Sequence, residues 1–106
     1  MNISEIRHIS YQILKSLTFL KKHSIVHCDL KPENILLKNR LSKKDIKIID
    51  FGSACFENEK IHSYIQSRFY RAPEVILGLG YSSSIDIWSF GCIIAELYNG
   101  KEVYFP

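Results

Sequence analysis

The stretch HCDLKPEN at residues 27–34 places a carboxylate, an ammonium and a carboxamide in one short polar loop between two apolar stretches. These groups belong to Asp29, Lys31 and Asn34. A second stretch, DFG at residues 50–52, directly follows an apolar strand pattern. Grouped polar side chains in loops that a strand scaffold positions are typical of a functional site.

A hairpin is predicted to bring these two loops together. Residues 35–37 and 46–49 have strand patterns, and a polar turn at residues 39–44 joins them. Pairing of the two strands would place Asn34 and Asp50 at the same edge of the sheet. Their oxygen atoms suit Mg²⁺, which takes one or two protein groups and completes its shell with phosphates and water.

Phosphoryl transfer fits the chemistry of these loops, because it needs mainly positioning and charge neutralisation from the protein. Asp29 can orient a substrate hydroxyl and accept its proton, and Lys31 can neutralise the moving phosphoryl group. Each residue alone has an ordinary alternative: Asp29 could cap a turn, Lys31 could be solvated, and the DFG triplet could arise by chance. Their joint order and spacing favour the catalytic interpretation.

The flanking sequence predicts helices. Apolar residues at spacings of three and four indicate a helix over residues 4–22, followed by a short strand at 25–27. Residues 50–73 have no sustained period and are interpreted as a long functional loop. A second helix is predicted at 84–99, buried on more than one side, with Ser83 or Ser84 as its cap and Gly100 as its stop.

Composition sets limits on the function. The 106 residues allow one small domain, and the formal charge of +3 comes from scattered basic residues, so no nucleic-acid face is indicated. Mild basicity suits binding of anionic ATP, although a solvated surface explains the charge equally well.

Three separated cysteines indicate neither a zinc site nor a disulfide framework and fit a reducing compartment. With no membrane-length apolar run and no leader pattern, a cytoplasmic or nuclear location and no membrane partner are expected.

The two loops resemble those of the eukaryotic protein kinase family, in which Asp, Lys and Asn at these spacings precede DFG. The triplet APE at residues 72–74 and the stretch DIWSFG at 86–91 are further family landmarks. The resemblance covers essentially the whole chain and implies an α+β, protein-kinase-like fold: a partial large lobe, mainly helical with a short β-hairpin, and no small lobe. Its implied parts within residues 1–106 are the catalytic loop 27–34, the metal-binding triplet 50–52, the activation segment 50–74 and the central helix about 84–99.

The resemblance also implies residue roles. Asp29 would be the catalytic base, and Asn34 and Asp50 the magnesium ligands. Leu36 would form the floor under the adenine ring. The residues implied to contact the nucleotide are Lys31, Glu33, Asn34, Leu36 and Asp50. Three further residues would have supporting roles. His27 and Phe51 would stack on each other, and Asp86 would anchor the backbone of the catalytic loop.

Residues 64–74, YIQSRFYRAPE, resemble the activation segment of the dual-specificity tyrosine-regulated kinases, a group of the CMGC kinases. Cys28 stands where most kinases have an arginine that binds an activation-loop phosphate, and cysteine cannot make that charge-assisted bond. We hypothesise that the kinase phosphorylates its own Tyr64 and that Arg68 and Arg71 clamp the phosphate. The alternative is a buried Tyr64 with a bonded hydroxyl.

The resemblance places the Ser67 hydroxyl near Asp29 and Lys31, with a catalytic role. It implies ATP and Mg²⁺, and protein substrates with Ser or Thr followed preferentially by Pro. Two alternative functions are therefore considered. The first is a Ser/Thr kinase that autophosphorylates on tyrosine. The second is a catalytically inactive, truncated kinase-fold module that binds partners or acts as a scaffold. Because these residues include no glycine-rich loop, strand lysine or helix glutamate, the 106-residue chain alone is expected to transfer little phosphate.

Overall fold

A computed structural model describes residues 1–38, 45–59 and 64–101. The helices in these residues are α1 (Ile3–Lys22), α2 (Pro73–Ile76) and α3 (Ser84–Asn99), and the strands are β1 (Ile25–Val26), β2 (Ile35–Leu37), β3 (Ile46–Ile48) and β4 (Cys55–Phe56). Single 3-10 turns lie at Pro32–Asn34 and Arg68–Tyr70. The predicted α+β class, mainly helical with a short hairpin, is confirmed. Within the described ranges, no helix combines the length and apolarity that crossing a membrane requires.

Helix α1 starts one residue earlier than predicted because Asn2 forms a capping box with Glu5. The Asn2 side chain accepts a hydrogen bond from the Glu5 N–H at 2.9 Å, and the Glu5 carboxylate accepts one from the Asn2 N–H at 3.1 Å. One stripe of the helix is buried, and it consists of the apolar residues that the periodicity singles out: Ile6, Ile9, Ile13, Leu17 and Leu20.

Helix α3 has the predicted bounds, but its start is capped differently. The Ser83 side chain makes no capping bond. Instead, the Ser84 N–H donates to the Ser82 hydroxyl at 3.3 Å, and the Ser83 N–H donates to the Glu57 carboxylate at 3.2 Å. The helix ends at Gly100, whose φ of 79° is in the left-handed region that favours glycine.

The main core lies between α1, α3 and the hairpin. Ile13 of α1, Ile46 of β3 and Ile93 of α3 belong to one buried cluster, which also contains Leu30 of the catalytic loop. Trp88 of α3 lies at the margin of this core, with 38% of its surface exposed. Packing of α1 and α3 beneath the catalytic loop gives that loop a rigid base.

Two antiparallel strand pairs position the loops. Strands β2 and β3 pair with Ile35 opposite Ile48, which confirms the predicted hairpin, although its turn at residues 39–44 lies outside the described part of the chain. Strand β1 pairs with β4, with Val26 opposite Cys55. This second pair was not predicted, because β4 is only two residues long and lies in a stretch without periodicity. It joins the start of the activation segment to the start of the catalytic loop.

Candidate active site

Asp29, Lys31 and Ser67 lie together, although Ser67 is 38 residues from Asp29 along the chain. The Ser67 hydroxyl donates to Asp29 Oδ1 at 2.7 Å, and Lys31 Nζ donates to Ser67 Oγ at 3.0 Å. Lys31 Nζ also lies 3.6 Å from Asp29 Oδ2, and the two side chains are 26% and 20% exposed. A carboxylate and an ammonium are thus held side by side and remain accessible to a reactant.

This group can perform both tasks that phosphoryl transfer requires. The Asp29 carboxylate can accept a hydroxyl proton, because a base must lie within hydrogen-bond reach of the group that it deprotonates. The Lys31 ammonium beside it can stabilise negative charge that develops on a transferred group. Ser67 contacts both side chains and therefore fixes their relative position.

Residues Asn34 and Asp50 lie at the same edge of the hairpin, as predicted. The Ile49 N–H donates to the Asn34 carbonyl at 2.8 Å, so Asp50 directly follows the residue that pairs with Asn34. The Asn34 Nδ2 donates to the Asp29 carbonyl at 2.8 Å, which leaves the amide oxygen as the atom that can bind a cation. This links the predicted metal ligands to the catalytic loop.

The donor set of Asn34 and Asp50 suits Mg²⁺. Among residues 1–38, 45–59 and 64–101, no three or more His, Cys, Asp or Glu side chains form a group that could hold a metal ion. One carboxylate and one amide oxygen match a site in which Mg²⁺ takes most of its ligands from phosphates and water.

Asp50 has an unusual backbone conformation. Its φ is 62°, a region that residues other than glycine rarely adopt and that is common at functional sites. The Asp50 side chain is exposed, and its Oδ1 accepts a hydrogen bond from the Gly52 N–H at 3.3 Å. A Cβ atom at position 52 would lie 3.2 Å from this oxygen, so glycine keeps space for the carboxylate.

His27 connects the catalytic loop to the DFG triplet. It is fully buried, its Nδ1 accepts from the Asp29 N–H at 3.1 Å, and its Nε2 lies 3.0 Å from the Ile49 carbonyl. This pattern requires the tautomer with the proton on Nε2. The edge of the ring packs on Phe51, with 4.8 Å between centroids and an interplanar angle of 65°. The predicted contact between His27 and Phe51 is therefore present, but the rings meet edge to face and are not stacked.

Asp86 holds the catalytic loop from below. Its carboxylate is 2% exposed and accepts hydrogen bonds from the backbone N–H groups of His27 at 2.8 Å and Cys28 at 3.2 Å. Burial raises the pKa of Asp86, and the two N–H donors oppose that rise. The predicted anchor is thus in contact with the backbone that leads directly to Asp29.

Glu33 directly precedes Asn34, Leu36 follows it by two residues, and both are exposed. Glu33 belongs to the 3-10 turn before the hairpin, and Leu36 is in the middle of β2 with 47% of its surface accessible. Both side chains are therefore available for the predicted nucleotide contacts.

All of these motifs belong to one known type of domain. Residues 1–106 match the family described as the protein kinase domain. The chain belongs to this family. It is 60% identical to the probable serine/threonine-protein kinase dyrk2 of Dictyostelium discoideum, over 97% of this chain and 11% of that protein. It is 57% identical to the dual specificity tyrosine-phosphorylation-regulated kinase 3 of Homo sapiens, over 97% of this chain and 17% of that protein.

The chain is also 62% identical to the dual specificity tyrosine-phosphorylation-regulated kinase 2 of Drosophila melanogaster, over 97% of this chain and 14% of that protein. It is therefore a protein kinase sequence of the dual-specificity tyrosine-regulated type. The chain spans only 11% to 17% of the length of these three relatives. The similarity therefore identifies the domain but does not identify the substrates of the whole protein.

Tyr64 of the kinase domain is 82% exposed, so the alternative of a buried tyrosine is wrong. The Arg71 guanidinium lies over its ring, with Cζ 4.3 Å from the centroid. Arg71 also donates to the carbonyls of Ile65 at 2.9 Å and Gln66 at 2.8 Å. Arg68 is exposed, and its Cζ lies 5.9 Å from the centroid of the Phe69 ring. Of the two predicted phosphate-binding arginines, Arg71 is the one that lies on Tyr64.

Gln66 positions Ser67, and sequence reasoning missed it. Its φ is 68°, and only 8% of its surface is exposed. Its Nε2 donates to the Ile85 carbonyl at 2.9 Å and to the Ser89 hydroxyl at 2.8 Å, and its Oε1 accepts from the Ala72 N–H at 2.7 Å. These bonds fix the activation segment on α3. A lone glutamine next to a predicted site residue carries no local sign of this role.

Proposed function

We propose that the protein containing this chain is a Ser/Thr protein kinase that transfers the γ-phosphate of ATP to protein hydroxyls and phosphorylates its own Tyr64. The observation that carries the proposal is the contact of Asp29, Ser67 and Lys31, with Asn34 bonded to the same loop and Asp50 at the adjoining edge of the hairpin. The names of two relatives, a probable serine/threonine-protein kinase and a dual specificity kinase, support it.

Each residue has a defined task in this proposal. Asp29 orients the acceptor hydroxyl and takes its proton, and Lys31 stabilises the charge on the transferred group. Asn34 and Asp50 hold Mg²⁺, which when bound neutralises the phosphates of ATP. Leu36 and Glu33 lie beside the nucleotide. A binding module without catalysis has no physical need for this combination of charged side chains.

A preference for proline after the acceptor residue follows from Gln66. The cleft beside Asp29 is also lined by Gln66 and Ser67, so a residue next to the acceptor lies near this backbone. The Gln66 carbonyl accepts a hydrogen bond from the Arg71 guanidinium at 2.8 Å, so a substrate N–H would have to compete with this charged donor. Proline has no N–H group and loses nothing there, whereas any other residue brings a donor for which the Gln66 carbonyl is a poorer acceptor.

We expect a Ser-Pro peptide to be phosphorylated with a kcat/KM about tenfold or more above that of a matched Ser-Ala peptide. An unpaired donor costs about 1–3 kcal/mol, and about 1.4 kcal/mol corresponds to tenfold. A third peptide with N-methylalanine after the serine separates the missing N–H from the proline ring and should behave like the Ser-Pro peptide. Equal values for the proline and alanine peptides would contradict the proposed preference.

Phosphorylation of Tyr64 should be present in the active protein and should increase its activity. The phosphate adds nearly two negative charges, which Arg71 and the exposed Arg68 can bind and so order the segment that carries Ser67. Because a bond to a charged group is worth about 1.5–3 kcal/mol, we expect Tyr64→Phe to lower kcat/KM by roughly tenfold or more. The matched control is Tyr98→Phe, which changes an exposed tyrosine on α3.

Peptide mass spectrometry of the purified full-length protein checks this prediction. A phosphate on Tyr64 is expected, and it should be absent when the protein is produced with Asp29→Asn. An active protein with unmodified Tyr64 would overturn this part of the proposal.

A further inference from the structure

Two cysteines meet beside the active site without a role in the kinase mechanism. Cys28 Sγ and Cys55 Sγ are 3.7 Å apart, and both are free thiols. The contact follows from the pairing of β1 with β4, because Cys55 is opposite Val26 and Cys28 comes two residues after Val26. The catalytic loop and the first part of the activation segment thus meet at two sulfur atoms.

The two thiols differ in access. Cys28 is fully buried, and its N–H is held by the Asp86 carboxylate at 3.2 Å. Burial, together with the neighbouring Cys55, raises the pKa of the Cys28 thiol, so it stays protonated. Cys55 is only partly buried, so a small oxidant reaches it first.

We propose that Cys28 and Cys55 form a reversible disulfide when the protein meets hydrogen peroxide or another small hydroperoxide. The Cys55 sulfur attacks the O–O bond, becomes a sulfenic acid, and releases water in the case of hydrogen peroxide. The Cys28 sulfur then attacks the sulfur of the sulfenic acid. The S–S bond forms, and the hydroxyl group leaves with the Cys28 proton as a second water, so two thiols lose two electrons and the peroxide gains them.

The geometry permits this bond with a small movement. Bonded sulfur atoms lie about 2.05 Å apart, so the two Sγ atoms must approach each other by roughly 1.6 Å. Disulfides inside cells are usually transient and serve redox sensing, which fits a pair that is reduced at rest and closes only under oxidant.

Closure should inhibit phosphate transfer, and this consequence rests on the proposed kinase function. Cys28 directly precedes Asp29, whose contacts with Ser67 and Lys31 define the catalytic geometry. Misplacing a catalytic group by about 1 Å can cost roughly 100-fold in rate. The existence of the bond does not depend on the activity of the protein.

The bond is tested in the full-length protein, first reduced, then treated with hydrogen peroxide, blocked at its remaining thiols and digested for peptide mass mapping. We expect the peptides that contain Cys28 and Cys55 to be joined, two hydrogen masses lighter than their sum, and to separate with dithiothreitol. Cys55→Ser should abolish the joined pair. Cys92→Ser, which changes a cysteine in the core of α3, should retain it. Peroxide treatment that leaves Cys28 a free thiol, with Cys55 either unmodified or oxidised to sulfinic acid, would overturn the proposal.

A parallel activity assay tests the inhibition. Peroxide should lower the transfer rate of the unmodified protein at least tenfold, reversibly with dithiothreitol, and should leave Cys55→Ser at its untreated rate. A joined pair with an unchanged rate would overturn the inhibition and support the site. A protein without transfer activity before oxidation would argue against the proposed kinase function, while the mass measurement still decides the disulfide.

Discussion

Asp29→Asn is expected to lower the rate of phosphate transfer to protein Ser or Thr by about 10²–10⁴-fold, the usual contribution of a positioned general base. The amide has nearly the size of the carboxylate, so the shape of the loop should persist. It cannot accept the substrate proton, and it removes the negative charge next to Lys31, which lies 3.6 Å from Asp29 Oδ2. The measurement is the initial rate of transfer by the full-length protein at saturating Mg²⁺ and ATP.

The matched control is Glu59→Gln, which makes the same carboxylate-to-amide change at an exposed position after β4. It should retain the transfer rate, and both variants should unfold at the temperature of the unmodified protein. Cells that depend on this protein give a second readout. If Asp29→Asn supports them fully, the non-catalytic scaffold becomes the better interpretation and the proposed enzyme function is wrong.

The regular elements of the fold could be predicted because their signals are local. The buried stripe of α1 is visible as apolar residues at helical spacing, and its members, such as Ile13 and Leu17, do lie in the core. The hairpin is visible because two apolar strands flank a polar turn, and the observed register pairs Ile35 with Ile48. In both elements, burial of one face against the same core determines the pattern.

Features that depend on contacts distant in sequence could not be predicted in the same way. Strand β4 has only two residues and exists because β1 lies beside it. Gln66 is buried because Ile85 and Ser89 of α3 provide bonding partners for its amide. Neither Gln66 nor β4 has a local period or spacing that distinguishes it from an ordinary polar loop.

The candidate site was predicted in its members more fully than in its geometry. The resemblance to kinases singled out Asp29, Lys31 and Ser67, and the structure adds that Ser67 bonds to both of the others. The resemblance could not show that Arg71 lies on the ring of Tyr64, or that Cys28 contacts Cys55. Spacing along the chain contains no distances between loops, because strand pairing such as that of β1 with β4 and the packing of the loops on the helices determine them.

Asp86→Ala is expected to destabilise the kinase domain and to inactivate it. The substitution leaves the buried N–H groups of His27 and Cys28 without an acceptor, and each such group costs about 1–3 kcal/mol of the free energy of unfolding. His27 also accepts the Asp29 N–H, so movement of this backbone displaces the catalytic base. Denaturant unfolding measures the first effect, and the rate of phosphate transfer measures the second.

Asp86→Asn separates the two effects if the alanine variant fails to fold. An asparagine of the same size keeps one oxygen acceptor for the two N–H groups, so the loss of stability should be about half as large and the protein should remain folded. Glu59→Ala is the control for the removal of an exposed carboxylate and should change neither quantity. Because Asp86 contacts the loop backbone and no reacting atom, the folded Asp86→Asn protein should lose kcat while its KM for ATP stays nearly constant. An Asp86→Asn protein with unchanged kcat would show that the catalytic loop keeps its geometry without this anchor.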